Sequence, residues 1–179
     1  MRQTRDTSQQ SRFKDAPWFP KNKEICLVGG AGGIGSWLCF FLTKIGFKVN
    51  IYDFDTVEDH NLGGQLFQQR DIGQTKVNAI AAIIGDFCGS RITTFNERIT
   101  SSTPHHWYSF SAFDNMEARR TLFMNWKESW AGCPDGVTAI FIDGRLEIEQ
   151  LQIFCVTPIN ADKYEREHLL NSSTNENMD

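Results

Sequence analysis

The stretch Ile25-Cys26-Leu27-Val28-Gly29-Gly30-Ala31-Gly32-Gly33-Ile34-Gly35-Ser36 constrains this chain most. A short apolar run ends in clustered glycines, and an apolar helical pattern follows. Gly30, Gly32 and Gly35 fit G-x-G-x-x-G, with Gly33 inside the same loop. In that pattern the first glycine permits a tight turn after a strand. The second lets a phosphate approach the backbone, and the third lets helix and strand pack closely. The free N–H groups at the start of the next helix would face the phosphate. A glycine-rich turn alone is often only a turn. Here a strand, a helix and a downstream acid accompany it, and the segment reads as a nucleotide-binding loop.

The rest of the chain alternates strand and helix patterns. A helix over residues 34–45 would place Ile34, Leu38, Phe41, Leu42 and Ile45 on one inward face, with Trp37 and Phe40 as further apolar surface. Core packing is the first use for those aromatics and a dimer contact the second. Gly46 sits where a helix C-terminal glycine belongs. Residues 47–53 read as a second strand ending at Asp53, some 20 residues past the glycine loop, where an acid accepts hydrogen bonds from ribose hydroxyls. A long polar loop, 54–73, leads to a helix over 75–87 with Val77, Ile80, Ala81, Ile84 and Phe87 inward. Lys76 in its first turn opposes the helix dipole unless it faces an anion. Strands are expected at 91–95 and 108–113, the latter ending at Asp114-Asn115. A helix over 116–130 would pack Leu122, Phe123, Trp126 and Trp130, and Cys133-Pro134-Asp135-Gly136 would break it. Strands at 138–142 and 151–156 follow, with Asp143-Gly144 as the turn between them.

This order predicts an α/β, Rossmann-like fold: a mainly parallel sheet with helices on both faces. Residues 1–20 read as an amino-terminal arm whose segment 12–20 carries three aromatics and two prolines and suggests a docked segment. Residues 21–160 form the nucleotide-binding domain, and 161–179 a helix start and a disordered tail. The 179 residues suffice for one such domain with a sizeable core. A net charge of −4 provides no global basic field for nucleic acid or an anionic membrane. No apolar stretch reaches membrane-spanning length. The five cysteines form no C-x-x-C pair; Cys26, Cys39 and Cys155 lie in apolar runs and read as buried thiols, which fits a reducing cytoplasm.

Strand carboxyl ends in an open parallel sheet share one crevice. The order therefore gathers the glycine loop, Asp53 and Asp55, Asn61 with Gln65 and Lys76, and Asp114-Asn115. A plain dinucleotide enzyme needs only the first two features. The additional carboxylates and lysine suit a triphosphate with Mg2+.

These pieces resemble the ThiF/MoeB family, the bacterial relatives of ubiquitin-activating enzymes. The matching segments are Val28 to Ser36, Asp53-Phe54-Asp55-Thr56-Val57, Asn61-Leu62 with Gln65, Asp71-Ile72-Gly73-Gln74-Thr75-Lys76, and Asp114-Asn115 with Arg119. The resemblance implies binding of ATP and Mg2+, and adenylation of the C-terminal glycine carboxylate of a small ubiquitin-like or sulfur-carrier protein, within a homodimer. It implies that Asp53 holds the ribose, that Asn61 and Lys76 contact phosphates, and that Asp114 binds Mg2+. Arg12-Phe13 resembles the arginine segment that reaches the partner subunit's site. The chain departs from the family at two points. Gly64 stands where the family has a phosphate-binding arginine, with Arg70 nearby on the same loop. The chain also ends soon after its sixth strand, and neither Cys133 nor Cys155 matches the family's thioester cysteine. Two other readings stay open: a binding or interaction module that kept the fold without the chemistry, and an NAD-dependent oxidoreductase on the same fold.

Overall fold

The computed structural model describes residues 25–133, 139–146 and 149–170. The expectations for Arg12, the aromatic segment 12–20, the break at 134–136, a strand start at 138 and the tail from 171 lie outside these residues. Among the described residues six strands form one sheet: β1 (Ile25–Gly29), β2 (Lys48–Tyr52), β3 (Thr93–Phe95), β4 (Tyr108–Ser111), β5 (Ile140–Leu146) and β6 (Leu151–Val156). Their order is β3-β2-β1-β4-β5-β6. The first five run parallel and β6 returns antiparallel to β5. Cys26, Leu27 and Val28 of β1 are all buried. A strand covered on both faces reads as a continuous apolar run, which is why β1 shows no alternation.

Helices α1 (Gly35–Lys44) and α2 (Lys76–Cys88) cover one face. Helix α3 (Met116–Glu128) covers the other, together with the short α4 (Ala161–Tyr164) and the wider turn Glu165–Leu170 that continues it. Two single-turn 3-10 segments, Asp59–Gly63 and Gln69–Asp71, give the long polar loop its own structure. Gly46 and Gly89 end α1 and α2 at positive φ, +104 and +57, a region that favours glycine.

Helix α1 buries a different stripe from the expected one. Gly35, Ser36, Cys39, Leu42 and Thr43 face the sheet, while Phe41 and Ile45 are exposed. The cause is close packing at the helix start. A Cβ on Gly35 would lie 1.8 Å from the Gly30 carbonyl oxygen. Small side chains suit a helix held that near, and the large ones are turned outward. Phe87 of α2 is likewise exposed rather than inward, its ring edge-on to Phe40 at 5.6 Å.

Asp143-Gly144 is not a turn. Both residues lie inside β5, in register with Phe154 and Ile153. The buried Asp143 carboxylate is neutralised there by Arg119 and Arg145. Cys155 is exposed on β6, whereas Cys26 and Cys39 are buried as expected; burial pushes the Cys39 thiol pKa up.

Candidate nucleotide site

The carboxyl ends of the parallel strands open into a cavity of about 470 Å3. Gly30, Gly32, Gly33, Asp53, Asp55, Gln65, Lys76 and Asp114 all line it. The glycines differ in what they permit. Gly30 has φ +91, and a Cβ there would meet the Ala112 carbonyl at 2.8 Å. Around Gly32 nothing lies within 4 Å of a Cβ, so the backbone stays open to the cavity. Gly35 lies behind the loop, where it closes α1 onto the turn. Helix α1 has no side-chain cap and no acid in its first turn. Its N-terminal dipole end is left without an anionic partner from its own turn.

Asp53 links the loop to the end of β2. Its Oδ2 accepts from the Ala31 N–H at 2.7 Å and its Oδ1 from the Asp55 N–H at 2.8 Å. Burial raises the Asp53 pKa, opposed by those two N–H groups and by Lys76. Each oxygen retains a lone pair for a further donor.

The anion facing Lys76 is Asp55. Lys76 Nζ lies 2.8 Å from Asp55 Oδ2, and its backbone N–H donates to the Asp55 carbonyl at 2.9 Å. Asn61 is not brought into this cavity. It is buried, and its Oδ1 accepts from the Glu58 N–H at 2.9 Å, capping the first 3-10 turn. It borders a neighbouring depression of about 330 Å3 that shares Asp55 and Lys76. Gln65 does line the cavity, and its Oε1 is buried without a hydrogen-bond partner.

Asp114 is exposed at the cavity wall, immediately before α3. The cap of α3 is Asn115, whose Oδ1 accepts from the Ala118 N–H at 2.8 Å. The Asp114 carboxylate is therefore not consumed in capping. Arg70 does not enter the cavity: its Nη2 faces Asp86 at 3.7 Å on the outer side of α2. Arg98 does enter, with its guanidinium 3.8 Å from the centre of the Phe54 ring. Sequence reasoning missed Arg98 and Glu97. The signal was available, because β3 is parallel to β2 and residues just past Phe95 must emerge at the same edge.

The lining carries the carboxylates of Asp53, Asp55, Glu97, Asp114 and Glu117 against the cations Lys76 and Arg98. An anionic ligand in such a site needs added positive charge. Mg2+ suits this donor set: it takes one or two carboxylates, completes its shell with phosphate oxygens and water, and needs no all-protein cage.

The ThiF family profile matches residues 21–126. The chain belongs to the ThiF family. Among its relatives, the Saccharomyces cerevisiae protein "Ubiquitin-activating enzyme E1-like" is 36% identical over 125 residues, covering 65% of this chain and 20% of the relative. The NEDD8-activating enzyme E1 catalytic subunit of Dictyostelium discoideum is 34% identical over 103 residues, covering 54% and 23%. The chain thus spans about a fifth of the length of the curated relatives it matches. Solved structures share the fold of this ThiF chain. E. coli MccB with MccA-N7isoASN gives a TM-score of 0.62 at 18% identity, over 84% of this chain and 42% of that one. E. coli tRNA N6-threonylcarbamoyladenosine dehydratase, TcdA, in complex with ATP gives 0.58 at 20% identity, over 89% and 67%.

Proposed function

We propose that this ThiF-family chain is the nucleotide-binding part of an ATP- and Mg2+-dependent adenylyltransferase that activates a carboxylate. The C-terminal glycine of a small ubiquitin-like or sulfur-carrier protein is the carboxylate that the relatives favour, and a homodimer in the cytoplasm is the assembly. The observation that carries this reading is the meeting, in one cavity, of the open glycine loop, the Lys76–Asp55 pair and the exposed Asp114 carboxylate, which takes only a 3.5 Å contact from the Asn115 amide. Family membership favours it over an NAD-dependent oxidoreductase.

In the proposed reaction a carboxylate oxygen attacks the α-phosphorus of ATP. The bond from that phosphorus to the β-phosphate bridging oxygen breaks, giving an acyl-adenylate and pyrophosphate. No side-chain nucleophile is required. Mg2+, held by Asp114, would neutralise charge on the phosphate oxygens. The chain's own groups orient the nucleotide: backbone N–H groups of the glycine loop and the α1 N-terminus at the phosphates, Lys76 beside them, Asp53 at the ribose.

One observation favours a second reading, a nucleotide-binding module without chemistry. Position 64 holds glycine, where the family resemblance implies a phosphate-binding arginine. ATP–pyrophosphate exchange with a Gly-Gly-ending carrier protein separates the two. Exchange dependent on the carrier supports the enzyme. Tight ATP binding without exchange supports the module.

A further inference from the structure

Arg119 lies in the second turn of α3 but points away from solvent; it is 3% exposed. Its charge meets the carboxylate of Asp143, which is fully buried. The rest of the guanidinium bridges the end of β4, the turn after it and the interior of β5. Nη1 lies 3.4 Å from Ser111 Oγ and 3.3 Å from the Gly144 carbonyl, and Nη2 donates to the Phe113 carbonyl. Ser111 ends β4, Phe113 immediately precedes Asp114, and Gly144 is a cavity residue of β5. One planar fork therefore grips the turn that displays Asp114 from behind.

The fork is itself held. Asp143 Oδ2 accepts from Arg145 Nε at 2.8 Å and from the Tyr164 hydroxyl at 2.7 Å. Arg145 Nη2 reaches the His168 carbonyl at 2.9 Å, so the segment Ala161–Leu170 closes the cluster. Burial and the neighbouring Arg145 push the Arg119 pKa down to about 10, which leaves it charged at neutral pH. Burial pushes the Tyr164 hydroxyl up, which keeps it a donor to Asp143. A buried ion cluster of this kind contributes little net stability compared with apolar residues of the same volume. What it supplies here is a fixed geometry for two carbonyls beside the cavity.

We propose that Arg119, held by Asp143 and Tyr164, is the positioning residue for Asp114: it fixes the turn between β4 and α3 so that the Asp114 carboxylate is presented to the Mg2+–nucleotide. This rests on the proposed binding of Mg2+ and ATP. A lysine at 119 would keep the charge opposite Asp143 and lose the fork that spans the two carbonyls.

The test is a double-mutant cycle on the 179-residue chain, read by calorimetric titration of ATP at saturating Mg2+. Arg119→Lys should weaken Mg2+–ATP binding about tenfold, as loss of a partner that orients a metal ligand does. In an Asp114→Asn background the same change should cost less than about twofold, because its effect runs through Asp114. Adenosine binding should be unchanged in every variant. If Arg119→Lys does not fold, Tyr164→Phe, which removes one hydrogen bond to Asp143, is carried through the same cycle. Equal losses in both backgrounds, or no loss in either, would overturn the positioning role. Wild-type ATP binding that is indifferent to Mg2+ would instead overturn the proposed function, and the positioning role with it.

Discussion

Asp53 shows how a residue chosen for one task can carry two. Its place at the end of β2 was legible from its spacing to the glycine loop. Its two bonds to the Ala31 and Asp55 N–H groups were not, because they depend on how tightly the loop folds back. Asp53→Ala should weaken ATP binding by about 1.5–3 kcal/mol, the range for charge-assisted hydrogen bonds. Binding of the 2′,3′-dideoxy nucleotide should fall by less. Equal losses would show that Asp53 acts only as the latch of the loop. Gly64 supplies a complementary experiment. Its φ of −134 is open to any residue, and nothing lies within 4 Å of a Cβ there. Gly64→Arg should therefore fold normally and return a cation to the loop beside Gly33. We expect ATP affinity to rise at least about tenfold, roughly 1.5 kcal/mol and at the low end for a hydrogen bond to a charged group. Unchanged affinity would show that the phosphates lie elsewhere.

At the scale of elements, strands were easier to read than helix faces. The order of strands along the chain, the return of β6 at Leu151–Val156 and the junction of β4 with Asp114 followed from apolar runs and their boundaries. The inward face of α1 did not, because periodicity cannot report how near a helix is drawn to the sheet. Gly35 sets that distance, and it sends Phe41 outward to 56% exposure and leaves Ile45 on the surface. Phe40 stacks edge-on to both Phe41 and Phe87, so the described residues present an aromatic patch across α1 and α2. That patch is the natural seat of the proposed homodimer contact. Phe41→Glu with Phe87→Glu should shift sedimentation from dimer to monomer. Monomer stability should change by no more than about 0.5 kcal/mol per site, as expected at surface positions. A dimer that survives both changes would place the interface elsewhere. Asp143 misled for a related reason. An acid followed by glycine is a common turn signal, and its place mid-strand depends on the distant Arg119.

Across the whole molecule, the sheet order brings to one edge residues as far apart in sequence as Gly30 and Asp114. That the glycine loop, Asp53, Asp55, Lys76 and Asp114 meet in one cavity was legible because each lies just beyond a strand or at the start of a helix. Arg98 was legible on the same ground, just past the parallel strand β3, and was missed; the orphaned state of the Gln65 side-chain carbonyl depended on a loop path that no local pattern encodes. Asn61 faces the adjoining depression because its side chain is used to cap its own turn. The excess of carboxylates over cations makes the central claim specific: the cavity should accept a triphosphate only with a divalent ion. Titration of ATP into the wild-type chain with and without Mg2+, beside NAD and beside Asp114→Asn, tests this most directly. The account predicts Mg2+-dependent ATP binding, tighter than NAD, with the metal dependence abolished in Asp114→Asn. NAD binding as tight as ATP, or an Asp114→Asn variant with wild-type metal dependence, would contradict it.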